Sequence, residues 1–275
     1  MDKQVRAMVM AGNGTNCEME MAHACRMAGA EVVDTVSIYE LLDGERKLED
    51  YHFLNIPGGF LDGDDLGSAK AAANIYAHAK VRNSDETLRG QLERFVEQGK
   101  LILGICNGFQ LLIKLGLVPA IDGKYFEQQA TLTFNKSGRF ENRWVRLTID
   151  PQSPCVFTRG LTSIELPVRH GEGQVVVPDS AMGERLKHGH VALRYAACVG
   201  GLPTEEYPAN PNGSQDGVAG LCDPSGRVFG MMPHPEAFLH RTNHPRWTRE
   251  TLPEQGDGLA LFINAVDYIR DNLLD

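Results

Sequence analysis

The chain has 275 residues, 42% of them hydrophobic, and its 27 basic and 36 acidic side chains give a formal net charge of −9. With no lysine- or arginine-rich block, it offers nucleic acid or an anionic membrane no electrostatic footprint, and no apolar run reaches the length of a membrane span. The opening Met1–Arg6 segment lacks the apolar core of a signal peptide, and the six cysteines (17, 25, 106, 155, 198, 222) are widely spaced with no C-x-x-C pair. Together these predict a cytosolic protein with reduced thiols, not a disulfide framework or a structural zinc site.

Val5–Met10 is an apolar run that ends at Gly12-Asn13-Gly14, and a helical pattern over 17–28 closes at Gly29 before a second strand at Glu31–Val36. A short strand, Phe53–Ile56, stops at Pro57-Gly58-Gly59. Residues 86–98 read as an amphipathic helix with Leu88, Leu92, Phe95 and Val96 on one face and Gly99 as its stop. The strand Leu101–Ile105 and a helix from Asn107 to about Leu115 follow. Such alternation predicts an α/β fold with a mostly parallel central sheet, helices on both faces, and ligands at the carboxyl ends of the strands. From about Thr131 to Val177 the texture changes to additional β segments, among them Trp144–Ile149 and Gln174–Val177. Strands at Val191–Tyr195, Val218–Cys222 and Val228–Met232 and a last amphipathic helix at Leu259–Ile269 complete the order, with a Pro/Asn/Gly-rich loop over 207–214. The absence of a repeat or linker predicts one domain over residues 1–275.

Between Leu101–Leu103 and Leu111–Ile113 stands Gly104-Ile105-Cys106-Asn107-Gly108-Phe109-Gln110. A strand that turns sharply into a helix at a Gly-x-Cys-x-Gly sequence lifts the thiol out of the sheet toward solvent, beside helix N–H groups that can hold an oxyanion. The competing reading is a buried structural cysteine. A thiol nucleophile needs a base to make thiolate near neutral pH. His234, in Met231-Met232-Pro233-His234-Pro235-Glu236, follows an apolar strand. Pro235 keeps it out of the helical region, so an extended segment places Glu236 beside the imidazole to fix its tautomer. A solvated His-Pro-Glu turn is the alternative.

Other clusters are weaker. His188-Gly189-His190, and His240 with His244, lack the carboxylates or cysteines that complete a metal set, so no metal site is expected. Gly12–Cys17 with Asp34 hints at a dinucleotide fingerprint but has cysteine at the third glycine. No G-x-x-x-x-G-K-[ST] occurs, so no ATP site is recognisable. An α/β-hydrolase places its acid before its histidine, whereas Glu236 follows His234. The DJ-1-like cysteine proteins, a hydrolase or redox-sensor alternative, have histidine after the cysteine, where this chain has Asn107.

The order Cys106, His234, Glu236 resembles class I glutamine amidotransferases, with their Gly-x-Cys-x-Gly-x-Gln elbow and later His-Pro-Glu. Within that class the chain resembles the glutaminase components of phosphoribosylformylglycinamidine synthase, in purine biosynthesis. The resemblance runs through Gly14–Cys17, Pro57–Phe60 with Gly63-Asp64, Phe140–Trp144, His170–Gly173, Asn210–Ser214 and Met231–Glu236, nearly the whole chain. It departs after Phe60, where many relatives have Ser-Tyr-Gly-Asp and this chain has Leu61-Asp62-Gly63-Asp64 and an Ala-rich stretch, Ser68–Asn74.

The resemblance implies that Cys106 attacks the side-chain amide of glutamine, with His234 moving the proton and Glu236 orienting it. The turn Gly58-Gly59-Phe60 and the Asn107 N–H would hold the oxyanion, and Gln110 would contact glutamine; its plain alternative is a helix residue facing a neighbour. It further implies a glutaminase of this or another amidotransferase pathway that carries no cofactor itself. A synthetase partner would use ATP and Mg²⁺ on formylglycinamide ribonucleotide, with room for a small third subunit. Residues 13–17, 60–74 and 170–173 are the expected interface or ammonia-channel elements, with solvated loops the alternative.

Overall fold

The computed structural model describes residues 4–198 and 200–274; Met1, Asp2 and Lys3 of the opening segment lie outside the described residues. The amino-terminal part runs β1 (Arg6–Ala11), α1 (Glu18–Met27), β2 (Val32–Ser37), α2 (Ile38–Leu42), β3 (Phe53–Ile56), α3 (Lys70–His78), α4 (Leu88–Glu97), β4 (Leu101–Ile105) and α5 (Asn107–Leu115). The remainder runs β5 (Thr131–Phe134), β6 (Glu141–Ile149), β7 (Ser163–His170), β8 (Glu172–Val176), α6 (Ser180–Lys187), β9 (Val191–Ala196), β10 (Val218–Cys222), β11 (Val228–Met231) and α7 (Leu259–Asn272).

Nine strands form one sheet in the order β2-β1-β3-β4-β11-β10-β9-β6-β7, and β5 pairs with β8 apart from it. The first five are parallel neighbours, and from β11 outward every pairing is antiparallel. The mostly parallel sheet expected from the alternating elements is thus the half that leads to the candidate nucleophile, and the later β segments extend it as antiparallel strands. Every residue of β3, β4, β10 and β11 is buried, which explains why these strands read as apolar runs without alternation. Winding proceeds from β1 to β2 in one direction and from β3 to β4 in the other. Right-handed crossovers therefore put α1 and the α3–α4 pair on opposite faces, and open a crevice at the carboxyl ends of β1 and β3.

The helix expected over 17–28 starts one residue later, with Cys17 at its cap, and that over 86–98 begins after Thr87, whose side chain accepts the Gly90 N–H. Three helices were not anticipated. α2 opens on a Ser37/Glu40 capping box, a signal present in the sequence, and α6 opens on Asp179. The Ala-rich stretch is largely α3, which packs on α4 and α5; with alanine at four of its nine positions it showed no stripe of large apolar residues.

Candidate active site

Cys106 joins β4 to α5 with φ 53° and ψ −104°, a backbone state that β-carbon-bearing residues rarely adopt and that marks functional sites. The flanking glycines make the bend feasible. A Cβ on Gly104 would sit 2.7 Å from the Gly108 carbonyl oxygen, and one on Gly108 would sit 2.0 Å from the Ile56 oxygen. The thiol opens into a cavity of about 360 Å³ rather than bulk solvent, since Cys106 is only 7% exposed. It donates toward the Arg169 carbonyl at 3.7 Å.

The partners arrive on the adjacent parallel strand. β11 is in register with β4, Met231 beside Ile105, so the chain leaving each strand enters the same space. His234 is extended, φ −104° and ψ 91°, as the following proline requires. Its N–H donates to the Pro167 oxygen of β7 at 2.8 Å. The next three residues, Pro235–Ala237, form a 3-10 turn instead of the expected extended segment, because proline's fixed φ suits the first position of a helical turn. The pairing forms regardless: His234 Nδ1 and Glu236 Oε1 are 2.6 Å apart, with both side chains almost fully buried. Burial opposes a charged imidazole here, but the Glu236 carboxylate, aided by the Cys106 and Cys17 sulfurs, outweighs it and holds His234 well above the ordinary histidine range. The second ring nitrogen, Nε2, is buried without a partner among the described residues. A methyl on Gly58 would lie 3.0 Å from His234 Cε1 and 3.4 Å from Cys106 Cβ, so a larger residue there would press on both side chains.

The turn after β3 is stitched to the loop after β1. Asn16 N–H donates to Gly58 oxygen at 3.2 Å and Phe60 N–H to Gly14 oxygen at 2.7 Å. Of the turn expected to hold an oxyanion, Phe60 therefore has its N–H committed, and it contributes an aromatic ring at the cavity mouth. Gly59 lines the cavity, and among the described residues none accepts its N–H. Asn107 stands in the first turn of α5, where N–H groups lack helical partners. Its side chain accepts the Leu61 N–H at 3.2 Å and donates to Gln110 Oε1 at 3.0 Å. Gln110 lines the cavity, and its Nε2 donates to the Glu172 carbonyl at 2.8 Å; this is the neighbour-facing alternative, with one amide hydrogen left for a ligand.

Two residues not singled out as site members belong to the same wall. Cys17 Sγ is 3.9 Å from His234 Nδ1. His170 also lines the cavity; burial and the neighbouring His234 charge push its pKa down to about 3. Both lie in segments quoted above for their resemblance, and the sheet order that brings them to His234 is not a local signal. The other clusters resolve as structure: His240 pairs with Glu254 and Thr242, His244 packs on Trp144 and Phe238, and Asp34 accepts from Tyr51.

Cys17, His234 and Glu236 offer ligand atoms within 4.8 Å of one another. A tetrahedral zinc with bonds of about 2.0–2.2 Å to nitrogen and oxygen would separate those two donors by roughly 3.3 Å. The 2.6 Å separation is that of a shared proton. Acidic Glu20, Asp64 and Glu172 line the cavity with Arg169, and its mouth carries the exposed rings of Phe60, Phe134 and Phe140.

Residues 4–269 match the model of the CobB/CobQ-like glutamine amidotransferase domain. The chain is 42% identical over 269 residues to phosphoribosylformylglycinamidine synthase subunit PurQ of Dehalococcoides mccartyi, covering 97% of this chain and 98% of the relative. It is 40% identical to the subunit of the same name from Methanococcus maripaludis, covering 96% and 98%. A chain in the structure of PurLQS from Thermotoga maritima superposes with a TM-score of 0.69 at 30% identity, over 97% of this chain and 99% of that one.

Proposed function

Because the chain belongs to the family of phosphoribosylformylglycinamidine synthase glutaminase subunits, glutamine amidotransferases by domain, we propose that Cys106, His234 and Glu236 are its catalytic triad. His234 takes the Cys106 thiol proton on Nε2 as the sulfur attacks the Cδ of glutamine, and gives that proton to the departing nitrogen, which leaves as ammonia. The glutamyl thioester is then cleaved by a water that His234 deprotonates, releasing glutamate and restoring the thiol. Glu236 keeps the proton on Nδ1 and stabilises the imidazolium that forms within each step. The oxyanion of each tetrahedral state lies against the N–H groups of Gly59 and Asn107. Gln110 directs its remaining amide hydrogen to the substrate. The mixed lining of three carboxylates and Arg169 suits the zwitterionic end of an amino acid.

Ammonia passes to a synthetase partner that carries ATP and Mg²⁺ and converts formylglycinamide ribonucleotide to the amidine; a small third subunit completes the assembly. The three exposed rings at the mouth support a partner seated over it. No helix among the described residues is long and apolar enough to cross a membrane. The six unpaired cysteines fit a reducing cytoplasm.

The observation that carries the reading is the pairing of a positive-φ elbow at Cys106 with a buried 2.6 Å His234–Glu236 contact just beyond the neighbouring strand. In the assembled enzyme, Cys106→Ala should abolish glutamine-dependent amidine formation and leave ammonia-dependent formation largely intact. Retention of both activities would remove Cys106 from the chemistry.

A further inference from the structure

Cys17 has no part in the mechanism above, yet it caps α1 inside the cavity that holds the triad. Its S–H donates to Asn16 Oδ1 at 3.1 Å, which turns the sulfur lone pairs away from Asn16. His234 Nδ1 lies 3.9 Å from that sulfur and 2.6 Å from Glu236 Oε1. The proton on Nδ1 therefore has two acceptors, one charged and close, one neutral and longer. Cysteine sulfur is a weak acceptor.

We propose that Cys17 is a positioning residue that acts through His234: its sulfur shares the Nδ1 proton with Glu236, holding the ring in plane with the carboxylate and favouring the protonated ring. This rests on the reading of His234 as the proton carrier. The groups that face the imidazole are few. Glu236 comes from its own segment, Cys106 from the elbow, Cys17 from α1 and His170 from β7. His170 is neutral in the working range and supplies no charge. Burial raises the Cys17 pKa, so the thiol stays protonated and keeps its S–H on Asn16, and the contact with His234 acts upward on the histidine pKa. Removing the sulfur therefore lowers the pH at which His234 gives up its proton.

The test compares wild type, Cys17→Ala and Cys17→Ser in the assembled enzyme by the pH profile of glutamine-dependent kcat/KM. The His234 midpoint is read directly by a ¹³Cε1-histidine NMR titration of the chain. The alkaline limb and the NMR midpoint of Cys17→Ala should move together to lower pH by about 0.3–0.7 unit, the size of one weak sulfur contact, with kcat/KM at the optimum held within about threefold. Cys17→Ser keeps the donor to Asn16 but draws its oxygen back from Nδ1, so it shifts the same way by less; it carries the test if the alanine variant does not fold. Identical midpoints within about 0.1 unit in all three proteins would overturn the inference, as would a uniform loss of rate at every pH, which would assign Cys17 to packing. Neither result touches the triad. That reading fails separately, if His234→Ala or Cys106→Ala retains glutamine hydrolysis.

Discussion

Gly59→Ala tests the oxyanion turn most sharply. Gly59 has φ +131°, where a β-carbon is strained whatever space surrounds it. That carbon would lie 2.4 Å from the Gly14 oxygen, 2.8 Å from Thr15 Cα and 3.0 Å from Asn16 nitrogen. All three are backbone atoms, so the turn must lift away from the 14–16 loop and weaken the two hydrogen bonds that stitch them together. The Gly59 N–H then no longer points where a tetrahedral oxygen forms. Loss of one such donor costs about 10²–10³ in kcat, or roughly 2.7–4 kcal/mol of transition-state stabilisation. The assay is glutamine hydrolysis by the assembled enzyme, run beside alkylation of Cys106 by iodoacetamide, a displacement that forms no oxyanion. The variant should lose the first by that factor and keep the second within about threefold, since Cys106, His234 and Glu236 follow β4 and β11 and are not part of the turn. A folded Gly59→Ala enzyme with kcat within about threefold of wild type would refute the assignment.

Other outcomes follow from the same geometry. Glu236→Ala should lower kcat by roughly 10²–10⁴, the range for losing effective general acid–base catalysis, and move the alkaline limb to lower pH, because burial then acts on His234 unopposed; an unmoved limb would contradict the pairing. His170 has a folded pKa of about 3, below the ~6.5 of an unfolded chain. Its neutral form is the one the fold retains, so stability is full above ~6.5 and falls toward pH 3 by up to roughly 1.4 kcal/mol per unit. Urea midpoints measured against pH should fall more steeply for wild type than for His170→Gln; parallel curves would mean that His170 titrates normally. Asn107→Leu strands the Leu61 N–H and the Gln110 carbonyl in a buried site. It should cost about 1–3 kcal/mol per group by denaturant unfolding, and equal stability would show that water replaces the amide.

The local grammar of the chain carried far. Gly104-Ile105-Cys106-Asn107-Gly108 encodes its bend in two glycines that neighbouring backbone forbids to be larger, and Pro235 keeps His234 out of the helical region. What sequence hid is non-local. Nothing near Cys17 says that it meets a histidine 217 residues away; β1, β3, β4 and β11 must first pair in register. The Phe60 N–H looked available because a Pro-Gly-Gly-Phe turn is read without its partner, and only the bridge from Thr15 to Gly59 shows it engaged. α3 escaped because alanine packs on both neighbours without an apolar stripe.

The antiparallel half of the sheet is more than an appendage to the parallel half. β7 sits at the far edge of the strand order, yet its last residues fold back over the nucleophile. Pro167 accepts the backbone N–H of His234, Arg169 accepts the Cys106 thiol, and His170 closes the wall. β7 is aligned with β6 over eight consecutive pairs, from Glu141 with His170 to Thr148 with Ser163. A one-residue slip would turn every β7 side chain to the opposite face and withdraw the Pro167 carbonyl from His234. The triad is carried by β4 and β11, but its alignment depends on a strand that contributes none of its three members.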